Sequence, residues 1–205
     1  HHGCINRLDT CKFKYLHQTG ECPYYLTLAR EVMPQSPRQL KWVAGALRWY
    51  GPMENIPYIE KAAQLEANTV PNLLAELAKL AVQTEGMALK FVPGSLNVTS
   101  TKAPFPPIPE YAELARIAVQ NHGRALKWVP GTPAVDGESQ VVEPIPEYVE
   151  LAKLAVQDDV DNLEFVPGAM VYYRSVNGPG VRRSVHAGVS DDDLVAIVQA
   201  AQEKW

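Results

Sequence analysis

The sequence predicts an all-α protein, a short solenoid of helical-hairpin repeats with a period of 37 residues and small β-hairpin insertions. A Val-Pro-Gly triplet ends at Gly94, Gly131 and Gly168, so the triplet recurs at intervals of 37 residues. Ahead of each triplet, apolar residues have the spacing of one helical face. A constant period of roughly 20 to 50 residues is typical of stacked repeats, because a single hairpin cannot bury its apolar face alone.

The composition is that of a folded protein. The chain has 205 residues, of which 46% are hydrophobic and 20% are charged, and this excludes a disordered chain. Its formal net charge of −4 argues against general nucleic-acid binding, which needs a basic surface. There is no apolar run of about 18 residues, the length a membrane span needs. We therefore expect neither nucleic acid nor a membrane as a partner.

Each unit begins with a long helix, best seen in the copy at 108–131. Apolar residues recur there at the spacing i, i+3, i+4, i+7 and i+8, which places them on one face. These residues are Tyr111, Leu114, Ala115, Ala118 and Val119.

A turn and a second, shorter helix follow. Gly123 is expected to end the long helix in a left-handed conformation. Leu126, Trp128 and Val129 then predict one short helical turn, which Pro130 stops because it lacks a backbone N–H.

The predicted array spans 22–168, with units near 22–45, 70–94, 108–131 and 145–168 and an extra helix near 56–68. Residues 1–21 are interpreted as a tag remnant followed by a truncated repeat. A β-hairpin insertion is expected at 169–187 and a closing helix at 188–205, with Ser190 as its N-cap. A smaller hairpin is expected at 134–142, around Asp136-Gly137.

The segment Ala118 to Pro130 (AVQNHGRALKWVP) resembles a bacterial tandem-repeat domain of unknown function, whose units read approximately A-V-K-Q-N-G-x-A-L-x-Y-V-P. The resemblance covers roughly 22–45 and 70–168. It implies small helical units within larger proteins, without an assigned chemistry or catalytic residues. Pro37 and Val160 depart from the pattern, because they replace its turn glycine.

The strongest basic cluster lies in the larger predicted hairpin. If its two arms pair, these side chains gather on one ribbon and can receive an anion or an acidic partner. The alternative is a solvated hairpin whose arginines balance the acidic residues 191–193. The candidate partner-binding residues are Tyr172, Tyr173, Arg174, Arg182, Arg183 and His186.

Cysteines occur only near the amino-terminal end, as Cys4, Cys11 and Cys22 with His17 among them. A zinc site would use all four, yet the paired spacing of zinc knuckles is missing. A Cys4–Cys11 disulfide is the alternative if the protein is exported. We expect free thiols and no metal.

An acidic turn follows the long helix of the last unit, where Asp158, Asp159 and Asp161 stand close together. Three carboxylates can bind Ca²⁺, but the glycine and distal glutamate of an EF-hand are absent, so we expect a solvated turn. His122 occupies the corresponding turn and is expected to be a surface residue.

Aromatic residues recur at one position of the repeat, as Trp42, Phe91, Trp128 and Phe165. Recurrence at a structural position favours packing between units over a ligand-binding ladder. The preceding position carries Lys41, Lys90 and Lys127 and then Glu164. A solvated row is expected there.

No nucleophile motif or phosphate-binding glycine run is present, which favours a non-catalytic scaffold that binds a protein or peptide, without a cofactor. One alternative is a recognition or regulatory segment of a larger bacterial effector or toxin, whose enzymatic part lies elsewhere. Another is a small enzyme that uses polar loop residues. We further expect a cytoplasmic monomer.

Overall fold

The computed structural model describes residues 25–43, 46, 71–96, 107–132, 143–169 and 189–203. Within these ranges the regular structure consists of α-helices and 3₁₀ helices, without a strand. The predicted all-α class is therefore confirmed for this part of the chain. The segments near 1–21, 56–68, 134–142 and 170–187, with their predicted repeat, helix and hairpins, lie outside the described residues.

Four α-helices are each followed by a 3₁₀ helix, and we call each such pair a unit. The α-helices are α1 (Tyr25–Val32), α2 (Pro71–Thr84), α3 (Tyr111–Asn121) and α4 (Tyr148–Asp158). The 3₁₀ helices are η1 (Pro37–Trp42), η2 (Gly86–Phe91), η3 (Gly123–Trp128) and η4 (Val160–Phe165). A fifth helix, α5 (Asp191–Gln202), follows the last unit.

The apolar face predicted for the long helix is confirmed. In α3 the buried residues are the five predicted ones, Tyr111, Leu114, Ala115, Ala118 and Val119. In α4 the residues 37 positions later are buried, namely Tyr148, Leu151, Ala152, Ala155 and Val156. Alanine at two of the five positions allows adjacent helices to approach closely, so the units pack without large side chains between their backbones.

Successive units pack against each other. Each α-helix contacts the next, from α1 to α5, and each 3₁₀ helix contacts the next, from η1 to η4. The buried apolar residues of all units form one core. The described part of the molecule therefore has two long surfaces, one formed by the α-helices and the other by the 3₁₀ helices.

Each Val-Pro-Gly triplet forms a tight turn directly after the 3₁₀ helix. Gly94, Gly131 and Gly168 have positive φ angles of 102°, 108° and 75°. The N–H of Thr132 bonds to the carbonyl of Val129 at 3.2 Å, which closes the turn around Pro130 and Gly131. Proline followed by a glycine of positive φ is typical of a type II turn.

The left-handed conformation predicted for Gly123 is wrong. Gly123 begins η3 instead, and the residue before it, His122, is extended at φ −158°. A Cβ at Gly123 would collide with Nδ2 of Asn162 and would lie 2.9 Å from the carbonyl oxygen of Ala155. The glycine is needed because the next unit approaches the backbone here.

A buried tyrosine joins consecutive units at two of these turns, those of Gly94 and Gly131. The ring of Tyr148 lies against Gly131, where an added Cβ would be 2.8 Å from its Cδ2 atom. The hydroxyl of Tyr148 donates to the carbonyl of Phe165 at 2.8 Å. The hydroxyl of Thr132, beside that of Tyr148, donates to the carbonyl of Leu126 at 2.8 Å. Tyr148 thereby connects the turn of the preceding unit to the 3₁₀ helix of its own unit.

The same arrangement occurs one unit earlier. Tyr111 donates to the carbonyl of Trp128 at 3.2 Å, and the Ser95 hydroxyl lies 3.3 Å from the Tyr111 hydroxyl. The N–H of Leu96 also donates to the Trp128 carbonyl, at 2.7 Å. Burial raises the pKa of both Tyr111 and Tyr148. These tyrosines are therefore neutral hydrogen-bonding groups at neutral pH.

Polar side chains at the ends of the α-helices make further bonds between units. Asn121 donates from Nδ2 to the carbonyls of Val82 and Gln83, at 3.0 and 3.1 Å. The carboxylate of Asp158, at the corresponding position of α4, accepts from the N–H of Gly123 at 3.0 Å. Helix ends expose unpaired backbone groups, and here a neighbouring unit satisfies them.

The predicted N-cap of the closing helix is confirmed. Ser190 accepts a hydrogen bond from the N–H of Asp193 at 3.1 Å, and its own hydroxyl donates to the Asp193 carboxylate at 2.5 Å. The acidic residues in the first turn of α5 also stabilise the helix, because they lie at the positive end of its dipole. Helix α5 packs on α4 and buries Ile197 and Val198 against the last unit.

We expect Gly131→Ala to destabilise the protein by at least about 2 kcal/mol, because alanine is disfavoured at positive φ and its Cβ would meet the Tyr148 ring. Urea denaturation measures this change. Gln120→Ala, on the exposed side of α3, is the control and should alter the free energy of unfolding by less than about 0.5 kcal/mol. Equal effects of the two substitutions would contradict the proposed turn.

The two tyrosines predict a loss of stability at alkaline pH. Their folded-state pKa values are raised, whereas an unfolded tyrosine ionises near pH 10. Their contribution is thus complete below about pH 10 and is lost as pH rises, by up to about 1.4 kcal/mol per pH unit for each tyrosine.

Urea denaturation of the wild type and of the Tyr111→Phe/Tyr148→Phe double variant, across that pH range, checks this expectation. The variant should be less stable at neutral pH, since it lacks both hydroxyl hydrogen bonds, and its stability should fall less steeply with pH. Parallel curves for the two proteins would refute the assignment.

Candidate functional site

The binding cluster predicted from the sequence lies outside the described residues. It comprises Tyr172, Tyr173, Arg174, Arg182, Arg183 and His186. It therefore stays a prediction. Within the described ranges, the candidate sites are the two long surfaces of the stack.

The α-helix surface is crossed by ion pairs between neighbouring helices. Arg30 of α1 donates from Nε and Nη2 to the two carboxylate oxygens of Glu76 of α2, at 2.6 and 2.9 Å. One step further along the stack, Lys79 lies 2.7 Å from Glu113. The hydrogen bond to Glu76 raises the pKa of Arg30, and the same contact lowers the pKa of Glu76. Two ion pairs thus join neighbouring helices on this surface.

The surface formed by the 3₁₀ helices, which we call the 3₁₀ face, has a different pattern. At its centre, lysine ammonium groups lie over aromatic rings. Nζ of Lys90 is 4.9 Å from the centre of the Phe91 ring, and Nζ of Lys127 is 4.9 Å from the centre of the Trp128 ring. This geometry is that of a cation–π interaction.

These lysines differ from the solvated row that the sequence predicted. Both Lys90 and Lys127 are half-buried, and desolvation is the largest cause that lowers the pKa of Lys127. The neighbouring positive charges of Arg124 and Lys90 lower it further, whereas Glu164 raises it. The positive charges of Arg124 and Lys90 therefore act on Lys127.

The charge on the 3₁₀ face changes sign along the stack. Units 1 to 3 carry basic residues at positions where unit 4 carries acidic ones, except that unit 2 has Met87 at one of them. Unit 2 also contributes Glu85, which pairs with Arg38 at 3.3 Å. Arg38, Arg124 and Asp161 occupy one position, and Lys41, Lys90, Lys127 and Glu164 occupy another. Arg124 and Glu164 meet across the boundary at 3.8 Å, with side chains 60% and 50% exposed. Such an exposed pair contributes little stability, so Arg124 remains accessible to a ligand.

The aromatic position is only in part the core position that the sequence predicted. Phe91 is buried at 7% exposure, whereas Trp128 and Phe165 are half-buried at the edge of the core. The indole nitrogen of Trp128 is itself buried and finds no acceptor among the described residues. Trp42 ends η1 at the corresponding position. The row thus combines packing with partial exposure.

The acidic turn contributes to structure. The Asp158 carboxylate accepts from Gly123 of the preceding unit, and Asp159 accepts from the N–H of Asp161 at 3.0 Å. His122 is exposed, as predicted.

In the ranges that the structure describes, no group of three or more His, Cys, Asp or Glu residues has the arrangement of a metal site. Cys4, Cys11, His17 and Cys22 lie outside those ranges.

Sequence analysis did not identify the lysine–aromatic pairs as a site, although a signal for them was present. Lys41-Trp42, Lys90-Phe91 and Lys127-Trp128 are adjacent pairs at the same repeat position. The dipeptide spacing alone does not place an ammonium over its neighbour's ring. That placement follows from the 3₁₀ conformation and from the packing of successive units.

Comparison of the chain with protein-family models, with curated proteins and with solved structures finds no match in any of the three. The resemblance to a bacterial tandem-repeat domain therefore stays a prediction. Among the helices described, none has both the length and the apolarity that crossing a membrane requires.

The burial of the aromatic row predicts unequal effects of truncation. Phe91→Ala should cost about 3 to 4 kcal/mol, as expected for a buried aromatic residue, whereas Trp128→Ala should cost about 2 kcal/mol because its ring is partly exposed. Urea denaturation of both variants tests the difference. A larger effect at Trp128 would place its ring in the core and remove it from the candidate surface.

Proposed function

We propose that the protein is a non-catalytic helical-repeat scaffold that binds a protein or peptide, and that its units form a short solenoid with a period of 37 residues. A repeated unit presents the same side-chain chemistry at regular intervals along one surface. Such a surface suits an elongated partner better than a small substrate, because a partner can contact several units at once.

One observation carries this proposal, namely the repetition of the lysine–aromatic pair in successive units. Lys90 over Phe91 and Lys127 over Trp128 have the same 4.9 Å geometry, one unit apart. The η2 and η3 helices that bear them are in direct contact. Two further features support it: η2, η3 and η4 begin at Gly86, Gly123 and Val160, and the principal packing contacts join neighbouring units.

Affinity capture with the whole chain tests the proposal. The bait is compared with three variants, each of which reverses charge on a different surface. Lys90→Glu/Lys127→Glu alters the 3₁₀ face, and Arg116→Glu/Lys153→Glu alters the α-helix surface by the same net charge. The variant Arg174→Glu/Arg182→Glu/Arg183→Glu alters the cluster predicted from the sequence.

We expect a protein that is captured by the wild type and lost with one of these variants, followed by direct binding of the purified pair. The variant that no longer captures this protein identifies the surface that the partner contacts. Circular dichroism confirms that each variant keeps its helical content. A wild-type bait that captures nothing beyond the empty matrix would overturn the proposal.

A further inference from the structure

We propose that the basic part of the 3₁₀ face binds an acidic, extended peptide segment of a partner protein, with carboxylates at intervals of about three residues. This inference rests on the proposed scaffold function and specifies the chemistry of its partner. The site consists of Lys90, Arg124 and Lys127 at its centre, with Lys41 and Arg38 in the first unit, where Arg38 also pairs with Glu85 at 3.3 Å.

The charge of the central cluster favours a carboxylate ligand. Lys90 and Arg124 both act on Lys127 and disfavour its charged form. A carboxylate placed among the three cations offsets this repulsion and accepts hydrogen bonds from ammonium and guanidinium groups. Glu164 already supplies one carboxylate at the edge of the cluster, 3.8 Å from Arg124, and shows the type of group that this surface accommodates.

The aromatic rings hold the ammonium groups in place. Because each Nζ lies 4.9 Å above the ring of the following residue, its position is restricted before any ligand binds. A cation–π contact engages one side of an ammonium group, whose N–H donors on the other side can bind an acceptor. A ligand therefore meets partly ordered donors, which reduces the entropy lost on binding.

The spacing of the units suggests the spacing of the ligand's charges. Packed helices lie roughly 8 to 10 Å apart. An extended chain in the polyproline II conformation advances roughly 3.1 Å per residue and returns to the same face every three residues, so one unit corresponds to about three residues of peptide. Peptide segments of this kind also match the length of the basic surface, since units 1 to 3 correspond to about eight residues.

The fourth unit limits the site. Asp161 and Glu164 stand where unit 3 has Arg124 and Lys127, so an acidic segment is repelled beyond the third unit. The overall charge of −4 likewise disfavours a long polyanion such as a nucleic acid, which would extend past the basic units. The surface thus suits a short acidic peptide.

Fluorescence anisotropy with two labelled peptides tests this inference on the full chain. Both peptides contain glutamate, glycine and serine in the same numbers and about nine residues. In the first, glutamate occupies every third position, and in the second the glutamates are contiguous. We expect the first to bind more tightly, with an affinity that falls as salt concentration rises.

Matched variants locate the binding. Lys90→Glu/Lys127→Glu should weaken the first peptide at least about tenfold, whereas Arg116→Glu/Lys153→Glu, with the same net charge, should change its affinity less than about twofold. Glu164→Lys extends the basic row into unit 4 and should strengthen binding by about threefold. This gain does not depend on the stability of the double variant.

Three outcomes would overturn the inference: equal weakening by both double variants, no gain from Glu164→Lys, or tighter binding of a single-stranded DNA of equal charge. The scaffold proposal fails separately. If the capture experiment yields a partner that Lys90→Glu/Lys127→Glu leaves bound, the acidic-peptide inference falls while the scaffold function stands. If no partner is captured but the peptide binds as expected, the site stands without its proposed role.

Discussion

The close packing of the Val-Pro-Gly turns at Gly94 and Gly131 against the tyrosine of the next unit is the contact on which the rest of the structure depends. Gly131 leaves room for the Tyr148 ring, and the Tyr148 hydroxyl reaches the end of the following 3₁₀ helix. The turn, the α-helix and the 3₁₀ helix of two units are thereby held by one side chain. A side chain at the glycine position would separate the units and expose the small apolar faces of their helices.

This junction also determines where the charged residues lie. Once successive 3₁₀ helices are in contact, Lys90 and Lys127 become neighbours although they are 37 residues apart in the chain. A protein with a net charge of −4 thus has a basic surface over its first three units and an acidic one on its fourth. Ion pairs between units cross both surfaces, with Arg30 and Glu76 on the α-helix surface and Arg124 and Glu164 on the 3₁₀ face. The lysine–aromatic pairs belong to the 3₁₀ face. The two surfaces consequently offer different chemistry to a partner.

One position of the 3₁₀ helices carries a polar side chain in the outer units and alanine in the central ones. Where the central units have Ala88 and Ala125, the outer ones have Gln39 and Asn162, which carry a buried oxygen without a partner among the described residues. Asn162 nevertheless donates to the Ala155 carbonyl at 2.8 Å, so part of its burial is compensated.

The sequence by itself determined the α-helices and their buried faces, because an i, i+3, i+4 pattern depends only on the geometry of one helix. The same is true of the Ser190 cap, whose bond spans three residues. Only the tertiary structure decided that Gly123 serves close approach instead of a left-handed turn, since this depends on the neighbouring unit. The basic 3₁₀ face was likewise settled by tertiary structure, because electrostatic neighbours in a stacked protein are set by contacts between units rather than by adjacency in the chain.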